Sequence, residues 1–222
     1  MSKYTIKSTP TPPALDGVMT DGAWAGAEEG RVAIFQEKGS RHRPDVRFRL
    51  LHDSDNIYVK FEVQDRFVRS VQTAYQGSVC TDSCAEFFVR PRADRGYFNF
   101  EINAGGTLLL SYIEDATRTP GGFAKFRQVP EEWGRKVQIW HSMPAVVEPE
   151  IADPVTWGIG YRVPVALLEA FAGPLGTLSG QTWRANFYKC GDKTSHPHWA
   201  SWAPITALNF HLPECFGELA ME

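Results

Sequence analysis

Two glutamates in neighbouring predicted strands are the residues whose spacing first suggests chemistry. Glu86 and Glu101 lie in the stretch TDSCAEFFVRPRADRGYFNFEINAGG, residues 81–106, which has the pattern of a β-hairpin around the loop PRADRG. Partners in an antiparallel hairpin keep a constant sum of residue numbers, so this loop places Glu86 opposite Glu101. Opposed carboxylates destabilise a strand pair, so a neighbouring guanidinium, a shared proton or a bound cation must offset their repulsion.

The hairpin divides into an apolar face and a polar face. Phe87 and Phe100 belong to the apolar face, which we expect to pack on the core, so the carboxylates face solvent or a groove. The strand TWRANFYKCG shows the same division, and we expect it to join the same sheet. Sugar hydroxyls both donate and accept hydrogen bonds, so this polar surface suits a carbohydrate, although a merely solvated outer face is the alternative. The candidate polar contacts are Glu86, Arg90, Asn99, Glu101, Arg184, Asn186 and Tyr188.

Aromatic side chains in predicted loops could complete a sugar site. Trp199 and Trp202 lie in SHPHWASWAP, and Tyr75 lies in QTAYQGS, just before the hairpin. A flat ring can stack on the C–H face of a sugar while polar groups fix its orientation. Loop tryptophans also often close the end of a β-sandwich, so we expect stacking from one of these rings rather than from all of them.

The elements that position these residues are mostly strands. Short strand patterns separated by Gly, Pro, Asp and Asn turns predict an all-β fold, an antiparallel β-sandwich with one short helix at VPVALLEAFAG. Residues 1–20 suit an extended lead-in. We expect a short helix at TDGAWAGAEEG, capped by Thr20 or Asp21 and anchored by Trp24, and a loop at RTPGGFAKFRQVPEEWG. The whole chain, residues 1–222, is predicted to form a single domain, and the last residues to return as a final strand.

Composition excludes several classes of function. A net charge of −3 without a Lys/Arg cluster argues against nucleic acid. No apolar run approaches the roughly 20 residues that span a bilayer, and the first thirty residues lack the pattern of a secretory signal. A trimmed secreted or periplasmic protein would look the same, so the compartment and the oligomeric state stay open. The four cysteines, Cys80, Cys84, Cys190 and Cys215, are expected to be buried thiols, and no second Cys pair completes a zinc site with Cys80 and Cys84.

In the order and spacing of its motifs, the sequence resembles the family 9 carbohydrate-binding modules, in particular the stand-alone family-9-like domains. The resemblance rests on LDGVMTDGAW, TDSCAEFFVRP with Asp82, Ser83 and Glu86, YFNFEINAGG, GYRVP, and WRANFYKCGD followed by WASWAPI and NFHLPECFGEL. The resemblance implies a lectin-like β-sandwich that binds sugar without cleaving it and that serves polysaccharide degradation. It also implies that the sugar lies between two aromatic rings, with charged and amide groups beneath it. GSVCT stands where binding members carry a stacking Trp, and Tyr75 is the candidate substitute.

The residues also leave other functions open. Glu86 and Glu101 could be the acid and base of a glycoside hydrolase, since directly paired residues hold their carboxyl groups close together. Related sandwiches bind haem, for which His141 and Met143 form the only local pair of axial ligands. A third possibility is an interaction domain without a small ligand.

Metal ions are a separate question. The resemblance implies calcium, for which Asp53, Asp55 and Asn56 supply oxygen donors in one turn, although a plain Asx-rich hairpin turn fits equally well. His196 and His198 make only half of a metal site and are expected to be solvated.

Overall fold

A computed structural model describes residues 2–222, and strands dominate it. In chain order the strands are β1 Lys3–Ser8, β2 Gly30–Arg31, β3 Ile34–Phe35, β4 Asp45–His52, β5 Asn56–Asp65, β6 Val68–Ser70, β7 Cys84–Arg90, β8 Tyr97–Asn103, β9 Leu108–Thr119, β10 Gly122–Gln128, β11 Gln138–His141, β12 Val147–Ile151, β13 Val155–Pro164, β14 Thr182–Cys190, β15 Trp199–Ser201 and β16 Gly217–Met221. The α-helices are α1 Glu131–Gly134 and α2 Val165–Ala172, and 3-10 helices span Gly22–Gly26, Val79–Thr81 and Pro213–Cys215.

Two sheets pack face to face, and strand β1 belongs to both. The first sheet has the order β10-β9-β8-β7-β14-β16-β1, and the second continues β1-β4-β5-β13-β11. Phe48 of β4 stacks on Phe187 of β14 with ring centroids 3.8 Å apart, so the apolar faces of the sheets meet in one core. The predicted β-sandwich is confirmed. Its pairing is antiparallel except at β1, which runs parallel to both β16 and β4.

The two hydrophobic hairpins and the main helix lie where the sequence patterns place them. Strands β4 and β5 flank the predicted Asp/Asn turn, and β7 and β8 flank PRADRG. Helix α2 ends before Gly173, which has a φ of 82°, a left-handed conformation that favours glycine. Neither α-helix within residues 2–222 is both long and apolar enough to cross a membrane.

Two local predictions, a loop and an α-helix, are wrong, and the extended lead-in includes a strand. The predicted loop RTPGGFAKFRQ is mostly strand, because β9 runs on to Thr119 and pairs with β10 beyond a tight turn. The predicted lead-in contains strand β1, which buries Tyr4 and Ile6 in the core. The helix at Trp24 is a 3-10 turn whose N-cap residue, Asp21, makes no side-chain capping bond. Trp24 itself is buried as expected and donates its indole N–H to the Ala14 carbonyl at 2.7 Å.

A cluster of buried charges connects the two sheets. Lys189 of β14 lies 3.5 Å from a carboxylate oxygen of Asp65 of β5, and both side chains are fully buried. His42 contacts the other carboxylate oxygen at 2.6 Å, and the ammonium group of Lys189 bonds Nε2 of His198 at 2.8 Å. The expectation of a solvated His198 is therefore wrong, because this imidazole packs inside the sandwich. Half-buried His196 stacks on Phe67, with ring centroids 3.6 Å apart.

Candidate functional site

A cavity of about 480 Å³ lies over the polar face of β7 and β8. The register of the hairpin is the predicted one, with Glu86 paired to Glu101 and Phe88 to Asn99. Strand alternation turns Phe87 and Phe100 into the core and both carboxyl groups into the cavity. The residues that line the cavity are Cys80, Glu86, Asn99, Glu101, Leu109, Ser111, Arg118, Phe123, Phe126, Gln128, Cys190, Asp192, Trp199, Leu208, Asn209, Phe210 and His211.

The polar floor of this cavity is held in place by short hydrogen bonds. Asn99 donates its amide N–H to Glu101 Oε1 at 2.8 Å, and its carbonyl oxygen accepts the backbone N–H of Ser111 at 2.7 Å. The thiol of Cys190 donates to Glu86 Oε1 at 3.0 Å. Glu86 and Glu101 are only 2% and 6% exposed, so their orientation is fixed before any ligand arrives.

Burial changes the proton affinity of the carboxyl groups. Desolvation, with the negative charge of Glu101 as the second cause, raises the pKa of Glu86 well above its ordinary value. Burial raises the pKa of Glu101 to about 7, against the lowering effect of the Asn99 hydrogen bond. Desolvation also raises the pKa of Asp192, whose Oδ1 accepts the indole N–H of Trp199 at 2.7 Å. Near neutral pH the floor therefore retains protons and presents O–H donors as well as carboxylate acceptors.

Aromatic rings reach the cavity from both flanks of the hairpin. Trp199 comes from β15, which pairs with β14 beyond β7, and Phe123 and Phe126 come from β10, beyond β8 and β9. Phe123 and Phe126 make an edge-to-face pair with centroids 5.6 Å apart, and the guanidinium of Arg118 lies 4.1 Å from the centre of the Phe123 ring. Phe126 is 36% exposed, which leaves ring surface available to a ligand.

Four of the predicted polar contacts do not line the cavity, although they share its face of the sheet. Arg184 pairs with Arg90 at the far end of β14 and contacts Glu218 at 3.4 Å. Arg184 lies six positions before Cys190 in β14, which corresponds to about 20 Å at the rise of a strand. Asn186 and Tyr188 are also held by hydrogen bonds within the protein. Asn186 bonds the backbone of Ala203, and the Tyr188 hydroxyl donates to the Phe210 carbonyl at 2.9 Å.

Arg90 and two of the three predicted stacking rings also have structural contacts elsewhere. Arg90 bonds the Arg95 and Ala93 carbonyls of its own hairpin loop. Tyr75 donates to the Val129 carbonyl at 2.7 Å, and Trp202 packs edge-on against Phe187 in the core. The structure therefore gathers Glu86, Asn99, Glu101 and Trp199 from the predicted set.

Residues that the sequence analysis missed come from the arm formed by β9 and β10 and from the loop before β16. The arm contributes Arg118, Phe123, Phe126 and Gln128, and the loop contributes residues 208–211. A signal for the arm was present, because Pro120-Gly121-Gly122 is a strong turn sequence between segments of similar length. No comparable periodicity marks the loop.

The proposed calcium ligands form a turn that is already hydrogen-bonded. Asp53 Oδ1 accepts the backbone N–H groups of Asp55 and Asn56 at 2.8 and 2.7 Å, and Oδ2 accepts the Tyr58 hydroxyl at 2.6 Å. The pKa of Asp53 is lowered by these hydrogen bonds, against the opposing effect of burial. Hydrogen-bond donors thus occupy the lone pairs that a cation would need, so this donor set does not fit calcium.

The comparisons with known proteins agree with this architecture. A family model described as "Carbohydrate-binding family 9" matches residues 27–221. A protein of Bacteroides uniformis for which carbohydrate binding has been suggested is 30% identical, with a TM-score of 0.84 and coverage of 99% of each chain. Among curated proteins, none is significantly similar to the chain.

Two more distant structures share the fold. Both are family 9 carbohydrate-binding modules from Caldicellulosiruptor kristjanssonii, one in complex with glucose and one in complex with cellotriose. They are 13% and 14% identical, with TM-scores of 0.64 and 0.61, and the matches cover all of this chain and 96% and 94% of theirs.

Proposed function

The chain belongs to carbohydrate-binding family 9, and we propose that it binds a carbohydrate, without cleaving it, in the cavity above Glu86 and Glu101. The observation that carries this proposal is the composition of the cavity. A rigid floor of carboxyl and amide groups lies between aromatic rings that approach from opposite flanks of the hairpin. This combination matches both kinds of surface on a sugar, its hydroxyl groups and its C–H faces.

The floor suits a ring with neighbouring hydroxyl groups. An ionised carboxylate accepts hydrogen bonds from two hydroxyls at once, and a protonated carboxyl also donates one. Ser111 adds a hydroxyl group, and Arg118 adds guanidinium donors from the β9–β10 arm. Because Asn99 and Cys190 hold Glu101 and Glu86 in place, little side-chain entropy is lost when a sugar binds.

Trp199 is the proposed stacking ring. Its indole nitrogen is fixed on Asp192, and the ring both packs on the buried cluster of Val79, Cys84 and Cys190 and lines the cavity. Phe123 and Phe126 offer a second apolar surface in place of Tyr75, which packs against Gly134 instead. The other predicted contacts, Arg90, Arg184, Asn186, Tyr188 and Trp202, are not required by this proposal.

The ligand class follows from the family and its fold. Two family 9 modules of the same fold hold glucose and cellotriose, so glucose and short β-glucan oligosaccharides are the first ligands to test. A cavity of about 480 Å³ lies within the range of small-ligand sites. A role in polysaccharide degradation is part of the proposal. Calcium at Asp53, Asp55 and Asn56 is not part of this proposal, because hydrogen-bond donors already occupy the oxygens of Asp53.

A hydrolase would need different geometry. A retaining glycosidase places a protonated acid and an ionised nucleophile on either side of the bond that breaks. Here Glu86 and Glu101 are paired side by side on one floor of the cavity, so a sugar above them would not lie between the two carboxyl groups. Binding without cleavage is the better account of this pair.

The experiment is calorimetric titration with glucose, cellobiose and cellotriose, followed by an assay for new reducing ends. We expect saturable binding by the wild type and no product. Trp199→Ala should weaken binding roughly tenfold or more, as removal of a central aromatic contact does. Trp202→Phe is the matched control, since this ring packs in the core, and it should bind like the wild type.

Three results would contradict the proposal. The first is an absence of binding across a panel of glycans, which would favour a ligand-free interaction domain. The second is release of reducing ends that depends on Glu86, which would establish a hydrolase. The third is undiminished binding by a folded Trp199→Ala variant, which would place the sugar elsewhere. A Soret absorption band after incubation with haem would support the haem alternative at His141 and Met143.

A further inference from the structure

Two cysteines and a glutamate meet beneath the cavity floor. Cys84 of β7 and Cys190 of β14 are directly paired across neighbouring strands, and Glu86 follows on the same face of β7. The two sulfur atoms and a carboxylate oxygen of Glu86 all lie within 4.8 Å of one another. All three side chains are buried, and all four cysteines of the chain are free thiols. A sequence separation of more than one hundred residues hides this cluster from any local motif.

The spacing of these atoms is close to that of a zinc site. With Zn–S bonds of about 2.3 Å and Zn–O bonds of about 2.1 Å, tetrahedral ligand atoms lie roughly 3.6 to 3.8 Å apart. Small side-chain rotations of Cys84, Cys190 and Glu86 would bring their ligand atoms to these separations. Strands β7 and β14 are hydrogen-bonded neighbours in the middle of the first sheet, so their backbone holds the three residues together before any ion binds.

We propose that Cys84, Cys190 and Glu86 bind one thiophilic divalent cation, for which zinc is the appropriate probe, with the fourth coordination position directed to the cavity. Glu86 and Cys190 line the cavity, which gives the ion a path to enter and room for a water molecule or a ligand hydroxyl at the open position. This site is separate from the Asp53 turn and does not depend on sugar binding.

Charge supports the assignment. The floor opposes Glu86 to Glu101, with Asp192 nearby, and a divalent cation bound to Glu86 would compensate this accumulation of negative charge. Without an ion, the Cys190 thiol donates to Glu86, so protons occupy the positions that a metal would take. Binding releases the two thiol protons and any proton on Glu86, so the affinity for zinc should rise with pH.

The test uses the reduced protein, residues 1–222, freed of metal by a chelator and then titrated with zinc in competition with a chromophoric chelator. We expect one ion per chain, and with cobalt(II) in place of zinc a thiolate charge-transfer band in the near ultraviolet. Cys84→Ser and Cys190→Ser should each lower the affinity for zinc roughly a hundredfold or more, since even outer ligand partners contribute 10- to 100-fold. Cys215→Ser is the matched control, because Cys215 lies in a 3-10 helix away from the cluster and should bind like the wild type.

Several outcomes would overturn the proposal. The proposal is wrong if the wild-type protein binds no stoichiometric zinc, or if it shows no thiolate band with cobalt, whatever the variants do. Equal zinc affinity in all three serine variants would mean that the ion binds elsewhere. A reduced protein that binds no zinc but forms a Cys84–Cys190 disulfide on air oxidation would show that the pair is a redox couple instead.

Discussion

The paired carboxyl groups on the cavity floor should destabilise the fold at alkaline pH, and Glu101→Gln should remove much of that effect. The pKa of Glu101 is raised from 4.5 to about 7 by burial. Between these values the folded chain keeps a proton that the unfolded chain has lost, so the contribution to stability is complete below pH 4.5 and is lost as the pH rises to about 7. A pKa difference of about 2.5 corresponds to roughly 3 kcal/mol, and the near-complete burial of Glu101 leaves little solvent screening.

Glutamine is the suitable replacement because it is uncharged and nearly isosteric. Its amide oxygen can still accept the hydrogen bond from Asn99. We therefore expect the free energies of unfolding of Glu101→Gln and wild type to be similar at pH 4.5. At pH 8 the variant should be more stable by roughly 3 kcal/mol. Urea titrations at several pH values measure this difference directly.

The difference between the two proteins, rather than the pH profile of either, isolates Glu101 together with Glu86, whose pKa the charge of Glu101 raises. Burial lowers the pKa of His198 and His211 to about 3. The stability that these histidines contribute is complete above pH 6.5 and is lost as the pH falls toward 3, which opposes the carboxyl effect in the wild type. Exposed Glu132 in α1 provides the control, and Glu132→Gln should leave the profile unchanged. A constant difference between Glu101→Gln and wild type from pH 4.5 to 8 would refute the reasoning.

Two further predictions concern the buried ion pair and the Asx turn. Lys189→Met should lower the free energy of unfolding by about 3–5 kcal/mol, because it leaves the buried carboxylate of Asp65 without its cation. In urea titrations, the double variant that also carries Asp65→Asn should regain part of this loss. No restoration would mean that packing rather than charge dominates. Asp53→Ala should destabilise the fold by about 1 kcal/mol or more, and millimolar calcium should not raise the melting temperature of the wild type. A calcium-dependent increase that Asp53→Ala abolishes would instead support a cation site.

The sequence predicts the sheet and the cavity floor well because both depend on local alternation. The apolar residues at 87, 89, 98, 100 and 102 fix which face packs on the core, and the loop PRADRG fixes the register, so the Glu86–Glu101 pair follows from chain order alone. The same reasoning places Arg184 on the correct face. It says nothing about distance along the strand, and Arg184 lies at the far end of β14 from the cavity.

The walls of the cavity could not be predicted in the same way, because long-range packing sets them. Trp199 and Trp202 look alike in the sequence, yet one lines the cavity and the other packs on Phe187. The position of each ring is set by the short strand β15, which pairs with both β14 and β3. Phe123 and Phe126 lie in a predicted loop, whereas their strand β10 extends the sheet beyond β9 and brings them over the floor.

The unfavourable charge on the floor is itself an argument for a ligand site. A solvated outer face would place two opposed glutamates in water, where their repulsion is weak and their pKa values stay near normal. In this chain the β9–β10 arm and the loop at residues 208–211 cover the same face and bury both carboxyl groups. An uncharged residue at position 101 would remove the roughly 3 kcal/mol by which ionisation of Glu101 destabilises the sandwich at alkaline pH. The polar floor lies at the base of an open cavity, and Asn99 and Cys190 hold it rigid although its charge destabilises the fold. This combination supports the proposed sugar site.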